Sequence, residues 1–236
     1  MEVLWICSGY CLCTPVHGTV IAMCGIIGVI DRSLQAMDGS HIRRALSTMN
    51  ERGSGEGAGY AAYGVYPEFK DYYALHVFFD EIHGTKESLE DLLGQWGRIV
   101  HDEEIPTYEQ PNVRKIHTPW RYFFEPDRRL MPWSASPEDD IVARIVMQVN
   151  SQRKGFLIFS SGKNIGVFKA SGWPEDVANF FRIEDYRGYI WLGHNRYPTN
   201  TPGWWGGAHP FNLLGWSVVH NGEITSYGTN RRYIES

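Results

Sequence analysis

Short apolar runs that stop at polar clusters organise this chain. Gly25 to Ile30, Tyr189 to Leu192 and Trp216 to Val219 each read as a strand, too short for a helix and rich in β-branched or aromatic residues. Met23-Cys24 precedes the first run. Gly193-His194-Asn195-Arg196-Tyr197-Pro198-Thr199-Asn200-Thr201 follows the second, and the third runs into His220-Asn221-Gly222-Glu223-Ile224. Each strand thus delivers reactive or hydrogen-bonding groups at one end.

The residue types fix what those ends can do. A cysteine followed by glycine and a strand suits a nucleophile at the amino terminus of a mature protein, where its own α-amine serves as base. Such an amine has a pKa near ~8 and is partly unprotonated at neutral pH. Here it exists only once residues 1–23 are gone. Arg196 can grip a carboxylate bidentately. Asn221-Gly222 can offer a side-chain amide and an unhindered N–H to a developing oxyanion. Taken singly, each has a plainer reading: a core Cys-Gly, a surface arginine, an Asn-Gly hairpin turn.

Taken together, these segments resemble the glutaminase domain of class II (N-terminal nucleophile) glutamine amidotransferases, particularly the separately encoded amidotransferase subunit of glutamate synthases. The resemblance rests on Met23 to Gly28, Arg52-Gly53, Tyr73 to Asp80, Ser160 to Asn164, His194-x-Arg196-x-x-Thr199-Asn200-Thr201, Ala208-His209-Pro210-Phe211 and His220 to Ile224, and runs from Met23 to the last residue. It implies an α+β Ntn-hydrolase fold, a four-layer αββα sandwich. It implies Cys24 as nucleophile and Asn221 with Gly222 as oxyanion hole. Arg196, helped by Thr199, would bind the substrate α-carboxylate, and Arg52 with Gly53 would border the nucleophile and the amide end of glutamine. It further implies a partner, a glutamate synthase-type subunit that carries FMN and iron–sulfur and receives the ammonia, with no cofactor or metal in this chain.

Two departures from the family pattern qualify the expectation. Residues 1–23 precede the nucleophile as a leader, a propeptide or an over-extended start. The stretch Met1 to Ala22 has no Lys or Arg, unlike a secretory signal, and glycines and a proline interrupt the charge-free stretch Val3 to Ile30. At the other end, the family's substrate-amine-binding aspartate is not found in the 14 residues after Gly222, so the sandwich is expected to be incomplete at the C-terminus. Two alternatives stand beside the enzyme: a non-catalytic regulatory or interaction subunit with a blocked nucleophile, and another N-terminal-cysteine amidase.

Composition agrees with a cytoplasmic enzyme. A chain of 236 residues that is 43% hydrophobic can bury a substantial core, and a net charge of −5 argues against nucleic-acid binding. All four cysteines lie at positions 7, 11, 13 and 24, so the body of the chain has no disulfide framework, and the spacing of the first three fits no standard zinc pattern. No membrane association is expected.

Periodicity fills in the remaining elements. Ile42, Ala45, Leu46 and Met49 predict a helix capped by Ser40, and Gly57 to Tyr63 a strand. The domain is read as 24–236 with an α/β insertion at about 70–135, built from strands at Tyr72 to Phe79, Arg98 to His101 and Val113 to Phe124 and a helix through Leu89, Leu92, Leu93 and Trp96. Ser136-Pro137-Glu138-Asp139 opens a helix with a cap, a first-turn proline and acids suited to the dipole. Gly155 to Ser160 and Gly166 to Lys169 read as a hairpin about Ser161 to Asn164. His194, His209 and His220 are assigned to structural hydrogen bonds rather than to a metal, and Trp204-Trp205 to a gate or to packing.

Overall fold

The computed structural model describes residues 3–6, 24–114, 117–152, 154–198, 203–222 and 225–236. In chain order the strands are β1 (Val3–Ile6), β2 (Gly25–Asp31), β3 (Met37–Asp38), β4 (Ala58–Tyr63), β5 (Tyr73–Phe79), β6 (Gly97–Glu104), β7 (Thr118–Pro126), β8 (Phe156–Ser160), β9 (Ile165–Ala170), β10 (Arg187–Gly188), β11 (Ile190–Asn195), β12 (Phe211–Leu213) and β13 (Trp216–Val218). The helices are α1 (Ser40–Ser47), α2 (Thr85–Gly94), α3 (Pro137–Gln152), α4 (Pro174–Phe181) and α5 (Tyr227–Glu235). The architecture is mixed α/β, with two principal antiparallel sheets.

The first sheet has five strands in the order β1-β2-β11-β4-β9, and the second has four, β6-β7-β5-β8. Helices α1 and α4 pack on the first, α2 and α3 on the second. Strand alternation explains the arrangement. In β5, Tyr73, Leu75, Val77 and Phe79 join the cluster with Leu89, Leu93, Ile141 and Ile145 of α2 and α3. The intervening Phe78 turns the other way, to Phe159 of β8, Val167 of β9, Ala61 of β4 and Trp205. Trp191 of β11, Tyr60 of β4 and Leu46 of α1 are fully buried in the cluster beneath α1 and α4. No helix among the described residues is long and apolar enough to cross a membrane.

Two sequence expectations are corrected. Ser40 does not cap α1; it is the first helical residue, and Asp38 Oδ1 accepts its N–H at 2.9 Å. The segments β8 and β9 do not form a hairpin: β8 pairs with β5 in one sheet and β9 with β4 in the other, so Ser161 to Asn164 carry the chain between sheets. Two adjacent strands and a turn look the same in sequence whether they pair or part. The parting is held from outside, because Ser161 N–H donates to Asn212 Oδ1 at 2.6 Å and Leu214 N–H to Ser161 Oγ at 2.9 Å. The strand expected at Trp216 to Val219 is present as Trp216 to Val218, paired with Phe211 to Leu213 in a separate two-stranded ribbon. The segment 70–135 supplies β5, β6 and β7, three of the four strands of the second sheet.

Candidate active site

Strand register assembles the site. Where β11 runs antiparallel to β2, Asn195 stands opposite Gly25, and on its other side it stands opposite Ala58 of β4. The chain therefore leaves β11 beside Cys24, and Tyr197 N–H donates to Cys24 Sγ at 3.2 Å. Two backbone bonds lace the same exit to the loop before β4: Arg196 N–H to Gly57 O at 2.8 Å and Ser54 N–H to Arg196 O at 3.1 Å. Arg52 Nε closes the circuit by donating to Cys24 O at 3.2 Å. Gly53 is glycine for want of room, since a Cβ there would overlap the Asn195 carboxamide, which itself donates to Met49 O at 2.8 Å.

Arg196 is buried, at 5% exposure. Its Nη1 donates to Trp204 O at 3.2 Å, and Gly207 lies flat against the guanidinium, where any Cβ would collide. Burial draws its pKa down, and the charges of Cys24 and Glu56 oppose that shift. A guanidinium stays protonated regardless, so the result is a partly desolvated cation beside the thiol.

Asn221 and Gly222 are tied to this centre through a histidine. His194 of β11 meets His220 O at 3.0 Å through Nε2, which fixes the chain just before Asn221 to the strand that ends at Arg196. Gly222 has φ +139°, a conformation that disfavours any side chain. The His194 and His209 rings stand 4.3 Å apart. Burial, then the neighbouring His209, holds His194 down to about 3. Burial, then Lys169, holds His209 down to about 4. Both imidazoles are therefore neutral at neutral pH. A neutral His194 that donates from Nε2 keeps a bare Nδ1 lone pair. Among the described residues, His194 Nδ1, Asn195 Oδ1, His209 Nδ1 and Asn221 Oδ1 are buried with no hydrogen-bond partner, a concentration of unmet polarity that native interiors avoid.

The structure thus brings Cys24, Arg52, Gly53 and Arg196 into one bonded network and joins Asn221 and Gly222 to it through His194 and His220. Thr199 lies outside the described residues. Of the two tryptophans, Trp204 is 49% exposed, while Trp205 packs edge-on against Phe78 with centroids 4.4 Å apart. Sequence reading missed three contributors. Asn195 fills the space above Gly53, the Tyr197 amide reaches the thiol, and Lys169 is buried behind Arg196. Asn195 and Tyr197 sat within the quoted motif, but nothing in their residue types pointed to the contacts they make. Lys169 had a signal, a charge inside an apolar run.

Residues 139–236 match the family described as "Glutamine amidotransferases class-II". An uncharacterised protein of Archaeoglobus fulgidus is 49% identical over 214 residues, covering 90% of this chain and 56% of its own. A Methanothermobacter thermautotrophicus protein provisionally named a glutamine amidotransferase is 25% identical over 218 residues, 90% of this chain and 65% of its own. The chain thus spans less than two thirds of either relative. A glutamine–fructose-6-phosphate aminotransferase of Sulfurisphaera tokodaii is 37% identical over 78 residues, 32% of this chain and 13% of that one. Residues 139–236 are thus similar to class-II glutamine amidotransferases, and Arg196, Asn221 and Gly222 fall within the matched stretch.

Proposed function

We propose that the chain hydrolyses the side-chain amide of glutamine and passes the ammonia to a partner. The observation that carries this reading is the Tyr197 N–H bond to Cys24 Sγ, 3.2 Å long. It seats the thiol one residue from Arg196, a cation suited to the substrate's α-carboxylate. Sγ attacks the amide carbon, forming a C–S bond, and the oxyanion is met by Asn221 Nδ2 and the Gly222 N–H. The C–N bond then breaks and ammonia leaves with the proton taken from the thiol. Water cleaves the thioester, releasing glutamate and restoring the thiol. The base is the Cys24 α-amine, so the reaction requires a chain that starts at Cys24. Arg52, bonded to the Cys24 carbonyl at 3.2 Å, borders the nucleophile with Gly53, beside the amide end of glutamine.

The packing of α1 and α4 on one sheet and of α2 and α3 on the other supports the four-layer αββα arrangement of N-terminal-nucleophile hydrolases. The acceptor we favour is a glutamate synthase-type subunit carrying FMN and iron–sulfur, in the cytoplasm. A second reading, a regulatory subunit with a blocked nucleophile, draws on one observation: Val3 to Ile6 pairs with Gly28 to Asp31, so part of the segment before Cys24 is docked on the nucleophile's own strand. Intact mass and amino-terminal sequencing of the purified chain, with labelling by a glutamine-analogue affinity reagent, separate the two. A start at Cys24 with label on its Sγ is expected. A retained leader and an unlabelled thiol would overturn the enzyme reading.

A further inference from the structure

Lys169 is the anomaly of β9. The strand is otherwise Ile165, Gly166, Val167, Phe168 and Ala170, and Lys169 is buried among them at 3% exposure. Its Nζ donates to Ala208 O at 3.0 Å and stands 4.9 Å over the Phe211 ring. No carboxylate meets it among the described residues. Burial, reinforced by the charge of Arg196, draws it down to about 7. An apolar side chain would fill this position without the cost of desolvating a cation.

What Lys169 holds explains the cost. Ala208 closes the single helical turn Trp205–Gly207. At the opposite end of that turn, Trp204 O accepts from Arg196 Nη1 at 3.2 Å, and Gly207 backs the guanidinium. Internal bonds stiffen the turn, Gly207 N–H to Trp204 O at 3.1 Å and Ala208 N–H to Trp205 O at 3.0 Å. The Trp205 ring pins it to Phe78. The next residue presses on the sheet as well: Gly59, opposite Lys169 in the β4–β9 register, has no room for a Cβ against His209 O. The turn is a plate with the guanidinium seated at one end and the ammonium bolted at the other.

We propose that Lys169 is a positioning residue for Arg196: by holding the Ala208 carbonyl it fixes the turn on which the guanidinium rests, and so sets affinity for amides that carry an α-carboxylate. The inference rests on the reading of Arg196 as the carboxylate site. Lys169 itself touches no substrate.

Two substrates isolate the effect. Glutamine and 4-aminobutanamide share the amide and the amine, but only glutamine has the carboxylate. In the full chain, Lys169→Met is expected to raise KM for glutamine about tenfold, leave kcat within about threefold, and leave kcat/KM for 4-aminobutanamide within about twofold. Hydrogen exchange at the Gly207 and Ala208 amides is expected to accelerate in the same protein. An unchanged KM, or equal losses on both substrates, would overturn the proposal. If Lys169→Met does not fold, Lys169→Gln keeps a donor on a shorter stem, and an intermediate KM is expected. A wild-type chain that leaves glutamine intact would overturn the functional reading and the substrate half of the proposal. The exchange measurement still decides whether Lys169 holds the turn.

Discussion

Two buried polar clusters among the described residues are wired differently. In the first, His76 of β5 meets Tyr66 Oη at 2.7 Å and Val167 O at 2.9 Å. Arg121 of β7 donates to Tyr66 Oη at 3.1 Å, lies over the Tyr66 ring and donates from both Nε and Nη2 to Glu103 Oε1. Both nitrogens of His76 are thus engaged. In the second cluster, around Cys24, His194, Asn195, His209 and Asn221 each keep a buried atom without a partner among the described residues. A satisfied network stabilises its surroundings, whereas unmet donors and acceptors cost free energy that folding does not return. The first cluster holds the fold. The second carries the cost and is where a ligand's polar groups have something to offer.

Substitutions should separate the two clusters. The largest effect is expected at Cys24: Cys24→Ala removes the proposed nucleophile and should lower glutamine hydrolysis by about 10⁴-fold or more. Its urea midpoint should stay close to that of the wild type. Next comes Asn221→Ala, for which a loss of ~10²–10³ in kcat is expected, again with the midpoint nearly unmoved. A large fall in stability at either position would erase the distinction drawn here. In the other cluster, Arg121→Met should cost about 2 kcal/mol in urea unfolding, at the low end for a buried cation because the Glu103 side chain is 40% exposed. The folded fraction of that variant should retain the wild-type KM.

The smallest effect is one of pH. Burial, helped by the charge of Arg121, holds His76 down to about 3, below the ~6.5 of an unfolded histidine. The folded state therefore favours the neutral ring. The stability this gives is complete above pH ~6.5 and is lost as pH falls from there towards 3. His76→Gln should flatten the dependence of Tm on pH between 7 and 4, and its activity at pH 7 should stay near wild type. His194→Gln should flatten the same curve and also lower kcat, because His194 holds the Asn221 arm. Equal activity losses in both variants would show that the two clusters are not independent.

Much of this was legible in the chain. Runs such as Gly25 to Ile30 and Gly57 to Tyr63 gave their strands within a residue, because an apolar stretch of that length has no other place to go. The Pro137 helix announced itself by its capping residues and acids. The end-of-strand clusters pointed to Cys24, Arg196 and Asn221 through their side-chain chemistry. What stayed hidden depends on long-range register. Nothing local separates β8 from β9 into different sheets, and the device that does so, Asn212, lies some fifty residues on, as Ser161 N–H to Asn212 Oδ1 records. Nothing local in the sequence joins His76, Tyr66 and Arg121. The sheet pairing sets His76 opposite Arg121, and the Tyr66 hydroxyl reaches both from outside those strands.

The docking of Val3 to Ile6 has a consequence for the edge of the first sheet. Those four residues hydrogen-bond along Gly28 to Asp31 and make β1, not β2, the outermost strand. A cut that frees the Cys24 amine also severs the covalent tether of β1. If the released peptide departs, β2 becomes an open border with backbone donors and acceptors facing outward, a template on which another chain can add a strand. Maturation of the nucleophile and exposure of an adhesive edge would then be the same event, so a partner that pairs there would recognise only the chain already cut.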